Sequence, residues 1–572
     1  MSLLGKKWIV KNKDPKQNVI EKIMANRGLQ EPEAIATFLS ETEQFLDPFL
    51  MKDMQKAVER IAKAIIDKER VIVYGDYDVD GITGTTILVR TLTKLGAQVS
   101  YRIPHRFDDG YGLHDKYIDE CASIGAKLII TVDCGISCAS QVAKANLLGI
   151  DTIITDHHTI PEKLPEAHAI LHPLQSDCPY PFKGLTGSAV AFKLAHAMLE
   201  PKAEAAPVLG LPVLTPEQRL VFLESLTDLA SFGTVADCGP LVGENRTIVK
   251  RGLKAFKRTH WSGLRQMKQL AKIDDNEIDT TTIGFKLAPR INAAGRIDHP
   301  YVALQLLLRE EDDTRTRALA EKLESLNVER QEMTRKAVDE AMKLYKPEYH
   351  KHLFIAHSKD WHTGILGLIA SRAVNTFGCP AIILQDRGDM LVASARSIDG
   401  CNITDLIGSQ GENLITFGGH AAAAGFSVSK EKLHIVEREF YKVAQKMWGS
   451  ANGGFTPTLS LDCEVSHQEL TVDNALQLEK MQPFGIGNEK PLLKLTNAII
   501  TDISLIGKEH NHARLTIQAG RQTITGIYFS APEKVLRRQI TSDAPVSIAC
   551  HLELNRFRGK TSLQLMVADI EV

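Results

Sequence analysis

Short runs of β-branched and aliphatic residues alternate with amphipathic stretches from Arg70 onward. The runs cover residues 71–74, 99–103, 128–132 and 152–155. Strands that alternate with helical stretches predict an α/β fold, a parallel sheet covered by helices. Asp76, Asp133 and Asp156 follow the first, third and fourth runs. Because ligands of open α/β sheets lie beyond the carboxyl ends of the strands, we expect these acids to converge.

The pattern changes further along the chain. Residues 312–345 are highly charged, lack internal Pro and Gly, and carry Leu319, Leu323 and Leu326 at helical spacing, which predicts one long helix linking two domains. A second α/β unit should follow, with apolar runs at 353–356 and 381–384. Beyond the Gly/Ser-rich stretch 449–454, strands such as 513–517 and 522–528, with a hairpin turn at 555–560, favour a small β-barrel resembling an OB-fold.

With 572 residues and 63.2 kDa, the chain needs several domains. We predict an N-terminal extension at 1–50, the aspartate-bearing α/β domain at 51–310, a connecting helix at 311–346, a second α/β domain at 347–450 and the barrel at 455–572. The Pro-, Ala- and Gly-rich segment 201–216 is interpreted as a surface excursion before a helix that starts near Thr215.

Composition narrows the class of protein. The chain is 44% hydrophobic and 24% charged, which is typical of a globular protein. A net charge of -2 provides no overall attraction to nucleic acid, so a polyanion site would need local clustering. The nine cysteines form no CxxC pair, and Cys134 and Cys138 are interpreted as core residues. We expect a reduced, cytoplasmic protein without a membrane span.

Three carboxylates alternate in the segment 75–81, at Asp76, Asp78 and Asp80, before a helix predicted to begin near Thr83. Two carboxylates about 4 Å apart repel by roughly 4 kcal/mol at an effective dielectric of 20. Such a cluster requires protonation, spreading or a cation. Alone, the motif is equally compatible with a solvated acidic turn.

Asp133 and the triplet Asp156-His157-His158 favour the cation. Carboxylate oxygens with an imidazole nitrogen suit Mn²⁺ or Mg²⁺. The number of candidate ligands suggests two metals, which together would activate a water and stabilise a phosphoryl displacement.

A further aspartate, Asp237, ends the sequence Val-Ala-Asp at 235–237. Together, these motifs resemble those of the DHH phosphoesterase superfamily and occur in the same order along the chain. Segments 288–297, 361–367, 394–396 and 418–425 resemble the DHHA1 companion domain of the branch that degrades single-stranded DNA from its 5′ end. The resemblance spans roughly residues 50–570. It implies a DHH domain, a DHHA1 domain and an OB-like barrel, and an exonuclease that releases mononucleotides in DNA repair and recombination.

The resemblance also implies residue roles. One metal is expected on Asp78 and Asp133, with Asp76 nearby, and the other on Asp80, Asp133, His157 and Asp237. The catalytic set is then Asp76, Asp156 and His158, where His158 lies near the scissile phosphate and Asp156 orients its neighbours.

DNA contacts are expected elsewhere. Arg with hydroxyl or backbone donors grips a terminal phosphate well, and Ser394 and Arg396, after an apolar strand, are the candidates by resemblance. The remaining candidates are His362, Gly418, Gly419 and His420, and also Arg290, Asn292 and Arg296, which we predict in a Pro- and Gly-punctuated loop.

Two further surfaces are candidates for single-strand binding. The segment 246–272 interleaves Phe256 and Trp261 with nine Lys and Arg residues, a pattern that suits base stacking and equally a solvated helix face. In the barrel the candidates are His510, His512, Arg514, Arg556, Phe557, Arg558 and Lys560.

Relatives with the same metal motifs hydrolyse pyrophosphate, short oligoribonucleotides or cyclic dinucleotides, so these substrates stay open, as does a non-catalytic DNA-binding scaffold. The barrel and the chain length favour a polymer. Either DNA terminus offers a phosphate, so the 5′ polarity rests on resemblance alone. We expect a monomer that binds single-stranded DNA, with single-strand-binding protein and a helicase as further candidate partners.

Overall fold

The computed structural model describes residues 2–40, 44–199, 214–449, 457–540, 544–557 and 559–572. The described residues belong to two compact units. The first, called here the parallel-sheet unit, comprises Thr42–Arg330 together with Pro483–Glu489. The second, called the two-sheet unit, comprises Met1–Glu41, Gln331–Gln482 and Lys490–Val572.

The secondary structure follows in chain order. The strands are β1 (Lys7–Asn12), β2 (Arg70–Gly75), β3 (Gln98–Arg102), β4 (Ala126–Val132), β5 (Asp151–Thr155), β6 (Ala169–Leu171), β7 (Phe354–Ser358), β8 (Ala381–Asp386), β9 (Met390–Arg396), β10 (Thr416–His420), β11 (Ala423–Ser429), β12 (Thr458–Val465), β13 (Leu493–Ile506), β14 (His512–Ala519), β15 (Gln522–Tyr528), β16 (Val546–Phe557) and β17 (Lys560–Glu571). The α-helices are α1 (Val19–Asn26), α2 (Pro32–Leu39), α3 (Met54–Ile66), α4 (Val79–Lys94), α5 (Asp115–Ser123), α6 (Ala139–Leu147), α7 (Gly187–Leu199), α8 (Pro216–Ala236), α9 (Gly243–Lys257), α10 (Ser262–Leu270), α11 (Ala288–Ile297), α12 (Tyr301–Leu307), α13 (Thr314–Lys343), α14 (Leu366–Phe377), α15 (Ile403–Gly408), α16 (Leu433–Trp448), α17 (Val472–Lys480) and α18 (Glu533–Leu536).

The parallel-sheet unit contains a five-stranded sheet in the order β3-β2-β4-β5-β6, and all four strand pairs are parallel. The four strands expected from the apolar runs are therefore confirmed. Central strands are buried on both faces, which explains why they are continuous apolar runs.

Helices α4, α7 and α8 form the core beside this sheet. Every residue of α7 is buried, since the helix packs against both α4 and α8. Helix α8 begins at Pro216, one residue after its capping Thr215, as the sequence predicts. This tight packing fixes the elements that carry the acidic residues.

A short segment from late in the chain completes the parallel-sheet unit. Pro483–Glu489 lies against the loop after α8 and the residues before α11. Leu241 donates its backbone N–H to the Ile486 carbonyl at 2.7 Å, and the Thr280 hydroxyl donates to the Phe484 carbonyl at 2.6 Å. The sequence did not predict this contact.

The two-sheet unit contains the second α/β fold. Its sheet has the order β10-β11-β9-β8-β7, in which β7 and β8 are parallel and the other pairs are antiparallel. Helix α14 packs on β8 and β9. The second α/β region is confirmed.

The second sheet of this unit closes into a barrel. Strands β13, β14, β15, β17 and β16 pair in that order, and β16 returns to pair with β13. The barrel prediction is confirmed, as is the hairpin between β16 and β17. Strand β12 extends the sheet, and β1 pairs with β12 in parallel, so part of the predicted N-terminal extension is a strand of this sheet.

Helix α13 is a single helix of 30 residues, which confirms the helix predicted from the charged stretch. Most of the expected surface excursion at 201–216, nearly all of the Gly/Ser-rich stretch 449–454, and Arg558 lie outside the described residues. Among the described helices, none combines the length and the apolar character that a membrane crossing requires.

Candidate metal centre

The first acidic loop joins β2 to α4. Asp76 follows β2 directly, and the carboxylate of Asp78 caps α4 by accepting from the backbone N–H groups of Asp80 at 2.9 Å and Gly81 at 3.1 Å. The predicted helix start near Thr83 is wrong: α4 begins at Val79. The cap explains the difference, because an aspartate can satisfy the free N–H groups of a first turn. Asp80 therefore lies within the helix.

Asp80 is held by the start of α7. Its carboxylate accepts from the backbone N–H groups of Gly187 at 2.6 Å and Ser188 at 3.0 Å. A helix N-terminus favours negative charge. A Cβ on Gly187 would lie 2.5 Å from Cβ of Asp133, and one on Gly233 would lie 2.5 Å from Asp80 Oδ1, so only glycine fits at either position.

Asp133 lies immediately after β4, with φ of +60°. This left-handed conformation is uncommon for residues with a side chain, although Asp and Asn tolerate it best. Strained conformations of this kind concentrate at functional sites. Here the conformation directs the carboxylate toward the other acids.

His157 meets three carboxylates. Its Nε2 lies 3.0 Å from Asp133 Oδ1, 3.6 Å from Asp237 Oδ2 and 3.9 Å from Asp80 Oδ2. Asp237 is the residue that ends α8. Residues far apart in sequence therefore converge beyond the carboxyl ends of β2, β4 and β5, as predicted.

His158 is oriented by two partners. Its Nδ1 lies 2.8 Å from Asp156 Oδ1, and because a carboxylate only accepts, Nδ1 donates this bond. The Tyr111 hydroxyl lies 3.0 Å from the same nitrogen and donates to the Asp133 carbonyl at 3.1 Å. These bonds leave Nε2 as the ring nitrogen available to a ligand.

The side chains form overlapping groups with a ligand geometry. Donor atoms lie within 4.8 Å of one another in each of three sets, which are Asp76, Asp78 and Asp133, then Asp80, His157 and Asp237, and finally Asp133, His157 and His158. Asp76 Oδ1, Asp133 Oδ1 and His157 Nε2 are buried and accept or donate no hydrogen bond among the described residues. Buried polar atoms are rarely left unsatisfied, so this donor set fits divalent cations.

The pKa shifts of these side chains also favour a bound divalent cation. Burial, reinforced by neighbouring negative charges, raises the pKa of Asp76 and of Asp133 well above the usual value. Burial and the charges of Asp80 and Asp78 raise the pKa of Asp237 to about 8. Burial lowers the pKa of His157, whereas for His158 the hydrogen bond to Asp156 outweighs burial and raises the pKa. A bound cation would relieve the repulsion among the acids.

Two residues at this centre were not predicted from the sequence. One is Tyr111, described above, and the other is Arg106, whose guanidinium lies 4.7 Å from the centre of the Tyr77 ring. The positive charge of Arg106 lowers the pKa of both Asp76 and Asp78, against the larger effect of burial. The dense polar and aromatic segment 105–111, His-Arg-Phe-Asp-Asp-Gly-Tyr, was the available signal.

Arg290, Asn292 and Arg296 lie on helix α11, so their prediction in a loop is wrong. Pro289 occupies the first turn, where a proline ring is tolerated, and Gly295 is buried in the helix. A Cβ at Gly295 would lie 3.1 Å from the Tyr77 carbonyl, so the glycine lets α11 approach the first acidic loop.

The aromatic residues of the basic segment 246–272 are not available for stacking, and that alternative is wrong. Phe256 is fully buried and Trp261 is 4% exposed. The Trp261 indole N–H donates to Asp228 Oδ1 at 3.1 Å, and Arg90 lies 3.6 Å from its ring centre. Both aromatics therefore serve the core, and Cys134 and Cys138 are buried as expected.

The remaining candidates lie in the two-sheet unit. Ser394 and Arg396 lie on β9, which follows the apolar strand β8, and Arg396 Nη1 donates to Ser394 Oγ at 3.2 Å. A Cβ on Gly367, in the first turn of α14, would lie 2.8 Å from Arg396 Nη2. Gly418, Gly419 and His420 form the exposed end of β10. The Nδ1 atom of His362 accepts from the Gly364 N–H at 3.1 Å.

Comparison with known proteins matches three family models. These are the DHH family N-terminal domain over residues 70–213, the DHHA1 domain over 349–446 and the RecJ OB domain over 461–569. The chain is similar to the single-stranded-DNA-specific exonuclease RecJ of Bacillus subtilis (strain 168), with 36% identity over 559 residues, covering 97% of this chain and 68% of that protein. The protein of the same name from Dickeya dadantii (strain 3937) is 32% identical over 566 residues, covering 96% of this chain and 95% of that one.

A solved structure has the same architecture. RecJ of Thermus thermophilus in complex with Mn²⁺ superposes with a TM-score of 0.80 at 26% identity, covering 99% of this chain and 79% of that one. The same family is indicated by the converging acids, by the three domain matches and by these relatives. The chain belongs to the RecJ family within the DHH superfamily.

Proposed function

We propose that this protein is a metal-dependent exonuclease that hydrolyses single-stranded DNA from its 5′ end and releases mononucleotides, in DNA repair and recombination. The observation that carries the proposal is the convergence of Asp76, Asp78, Asp80, Asp133 and Asp237 with two histidines at one sheet edge. The names of the relatives supply the substrate class, because they are called single-stranded-DNA-specific exonucleases.

Two divalent cations, Mn²⁺ or Mg²⁺, are the proposed cofactors, and related structures carry each of these ions. Asp78 and Asp133, with Asp76 nearby, would hold one, while Asp80, Asp133, His157 and Asp237 would hold the other. The spacing of the donor atoms supports both groupings, and Asp133 belongs to two of the sets. When bound, such a pair supplies an activated water and neutralises charge on the phosphoryl group.

The side chains of this protein then position the substrate. Asp156 and Tyr111 fix the ring of His158, so that Nε2 is available for a phosphate oxygen. Because the pKa of His158 is raised, the ring keeps its proton to higher pH than free imidazole and is suited to donate to that oxygen. Asp156 acts through His158, and its own pKa is lowered by the same bond despite burial.

The 5′ end is proposed to bind at Ser394 and Arg396, with Gly418, Gly419, His420 and His362 as neighbouring candidates. The support is a guanidinium and a hydroxyl on one face of β9 that meet the first turn of α14 at Gly367. Arginine and a helix N-terminus both favour phosphate. Arg290, Asn292 and Arg296 on α11 are proposed to contact the strand near the metals.

The domain boundaries stay as predicted from the sequence, at 1–50, 51–310, 311–346, 347–450 and 455–572. The barrel surface with His510, His512, Arg514, Arg556, Phe557 and Lys560 is retained as a candidate second strand-binding surface. We also propose a cytoplasmic monomer, with single-strand-binding protein and a helicase as partners.

The function is tested on purified protein with Mn²⁺ and end-labelled oligonucleotides that are single-stranded, duplex or RNA. We expect mononucleotides only from the 5′ end of single-stranded DNA. Products that accumulate from the 3′ end would reject the polarity, and efficient cleavage of duplex would reject the substrate class.

The 5′-phosphate site is tested with Arg396→Ala. The wild type should prefer a 5′-phosphate over a 5′-hydroxyl oligonucleotide, and the variant should lose that preference by tenfold or more, since a hydrogen bond to a charged group contributes about 1.5 to 3 kcal/mol. Arg372→Ala removes an exposed arginine from α14 and is the matched control. An unchanged preference in Arg396→Ala would reject the assignment.

A further inference from the structure

Phe285 is an exposed aromatic residue in the segment directly before α11. It is 81% exposed, although the residues on either side of its turn, Ile283 and Leu287, are fully buried. Phenylalanine at this exposure forgoes the burial that stabilises most large apolar side chains. The residue lies in a π-helical segment, Thr282–Leu287, a geometry that is rare and frequent at functional sites.

The segment 282–297, which joins this π-helix to α11, contacts two parts of the metal centre. A Cβ at Gly284 would lie 3.8 Å from the Val235 side chain, two residues before Asp237. At the other end, Gly295 approaches the Tyr77 carbonyl between Asp76 and Asp78. Phe285 therefore projects to solvent from a segment that is fixed against both acidic elements.

Cationic groups accompany the ring. Arg290 donates to the Lys286 carbonyl and forms a bidentate pair with Glu324, at 2.5 Å and 3.1 Å. Arg330 donates to the Asn327 side chain at 2.9 Å, and its Nε is buried without a hydrogen-bond partner among the described residues. Burial and the charge of Arg290 lower the pKa of Arg330, so the two guanidinium groups repel each other, and Glu324 pairs with Arg290. An anion would relieve this repulsion.

We propose that Phe285 stacks on an unpaired base and that Arg330, beside Arg290, binds the adjoining backbone phosphate. The surface of Phe285, Lys286, Arg290 and Arg330, called here the Phe285 platform, is then a single-strand subsite next to the metal centre. This inference rests on the proposed function. It also gives a physical reason for strand selectivity, because the base faces of a duplex are already stacked and cannot receive the ring.

Binding without hydrolysis is the direct test. A single-stranded oligonucleotide that carries 2-aminopurine is titrated with the full-length protein in EDTA. Phe285→Ala should bind about tenfold more weakly and lose the fluorescence quenching, whereas Phe285→Trp should retain both. Leu147→Ala, which truncates an 89% exposed side chain of α6, is the control and should bind like the wild type. Wild-type binding and quenching by Phe285→Ala would overturn the inference.

Arg330 is tested through salt dependence. Arg330→Gln should reduce the slope of the logarithm of affinity against the logarithm of salt concentration by about one, because one phosphate contact is lost. An unchanged slope would overturn the phosphate assignment.

Activity separates this inference from the proposed function. With Mn²⁺, Phe285→Ala should raise KM for single-stranded DNA about tenfold, whereas the control Leu147→Ala should keep the wild-type KM. A wild type that degrades no single-stranded DNA would reject the function, whereas an active wild type with an unaltered KM in Phe285→Ala would reject the platform alone.

Discussion

Asp133 combines three properties that rarely occur in one residue. It has a left-handed backbone, a carboxylate of 3% residue exposure, and an oxygen 3.0 Å from the His157 ring without a hydrogen-bond partner among the described residues. Each property costs stability in a metal-free protein. The residue is therefore arranged for ligand binding at the expense of the apo fold.

Asp133→Asn should abolish hydrolysis and at the same time stabilise the metal-free protein. Asparagine tolerates the same backbone conformation and removes one buried negative charge. We expect the Tm in EDTA to rise by about 1 to 2 °C, the shift that ~1 kcal/mol gives for a unit of roughly 300 residues. Calorimetry and an oligonucleotide assay measure the two effects. Retained turnover in this variant would reject the proposal that Asp133 is a ligand of both metals.

Tyr111→Phe tests the orientation of His158. Loss of the hydroxyl removes the bonds to His158 and to the Asp133 carbonyl, so kcat should fall about tenfold while KM for single-stranded DNA and Tm stay close to the wild type. Tyr349→Phe, at a 71% exposed tyrosine, is the control. Equal kcat values for Tyr111→Phe and wild type would show that Asp156 alone orients the ring.

Among the elements, α7 determines how closely the acids approach one another. Its first residue, Gly187, donates to Asp80 and faces Asp133 with no room for a side chain. Helix α4 contributes Asp80 from its first turn, and Asp237 directly follows the last residue of α8. The metal centre thus depends on packing among three buried helices.

Gly187→Ala should weaken Mn²⁺ binding at least tenfold and destabilise the protein by about 1 to 3 kcal/mol, because overpacking forces atoms apart. Isothermal titration calorimetry measures the affinity. Gly408→Ala is the control, since a Cβ there meets open space. Unchanged Mn²⁺ affinity in Gly187→Ala would mean that the helix can shift without moving the acids.

The elements that could be predicted from the sequence are those that have a strong local sequence pattern. Buried parallel strands are apolar runs, and the position of the acids after β2, β4 and β5 follows from that pattern alone. The helical state of Arg290 was missed because Pro and Gly are usually loop signals, whereas here Pro289 fits a first turn and Gly295 a close contact. Tyr111 and the burial of Trp261 depend on partners distant in sequence, Asp133, His158 and Asp228, which no local pattern reports.

At the scale of the molecule, the clustered acids make stability depend on metal and pH together. Asp237 has a pKa raised to about 8, and those of Asp76 and Asp133 are raised well above normal. A carboxyl whose pKa is higher in the folded than in the unfolded chain stabilises the fold at low pH, and that contribution is lost as pH rises through the folded value.

In EDTA the Tm should therefore fall progressively between about pH 4, near the pKa of an unfolded carboxyl, and about pH 8, the folded value of Asp237. Excess Mn²⁺ should reverse most of the fall, because metal binds the deprotonated carboxylates. Scanning calorimetry across this range with and without metal checks both statements, and Asp237→Asn should flatten the EDTA curve. If the difference in Tm between the samples with and without Mn²⁺ did not change with pH, the proposed coupling between metal binding and carboxyl protonation would be contradicted.

The chain order of the contacts has a consequence for synthesis. Strand β1 pairs with β12, about 450 residues later, and Pro483–Glu489 supplies backbone acceptors to Leu241 and Thr280. On the ribosome, the first strand has no partner until most of the polypeptide has emerged, and the parallel-sheet unit lacks one of its segments until then. Contacts so distant in sequence are slow to form. Nascent chains released early should accordingly be targets for chaperones or proteases.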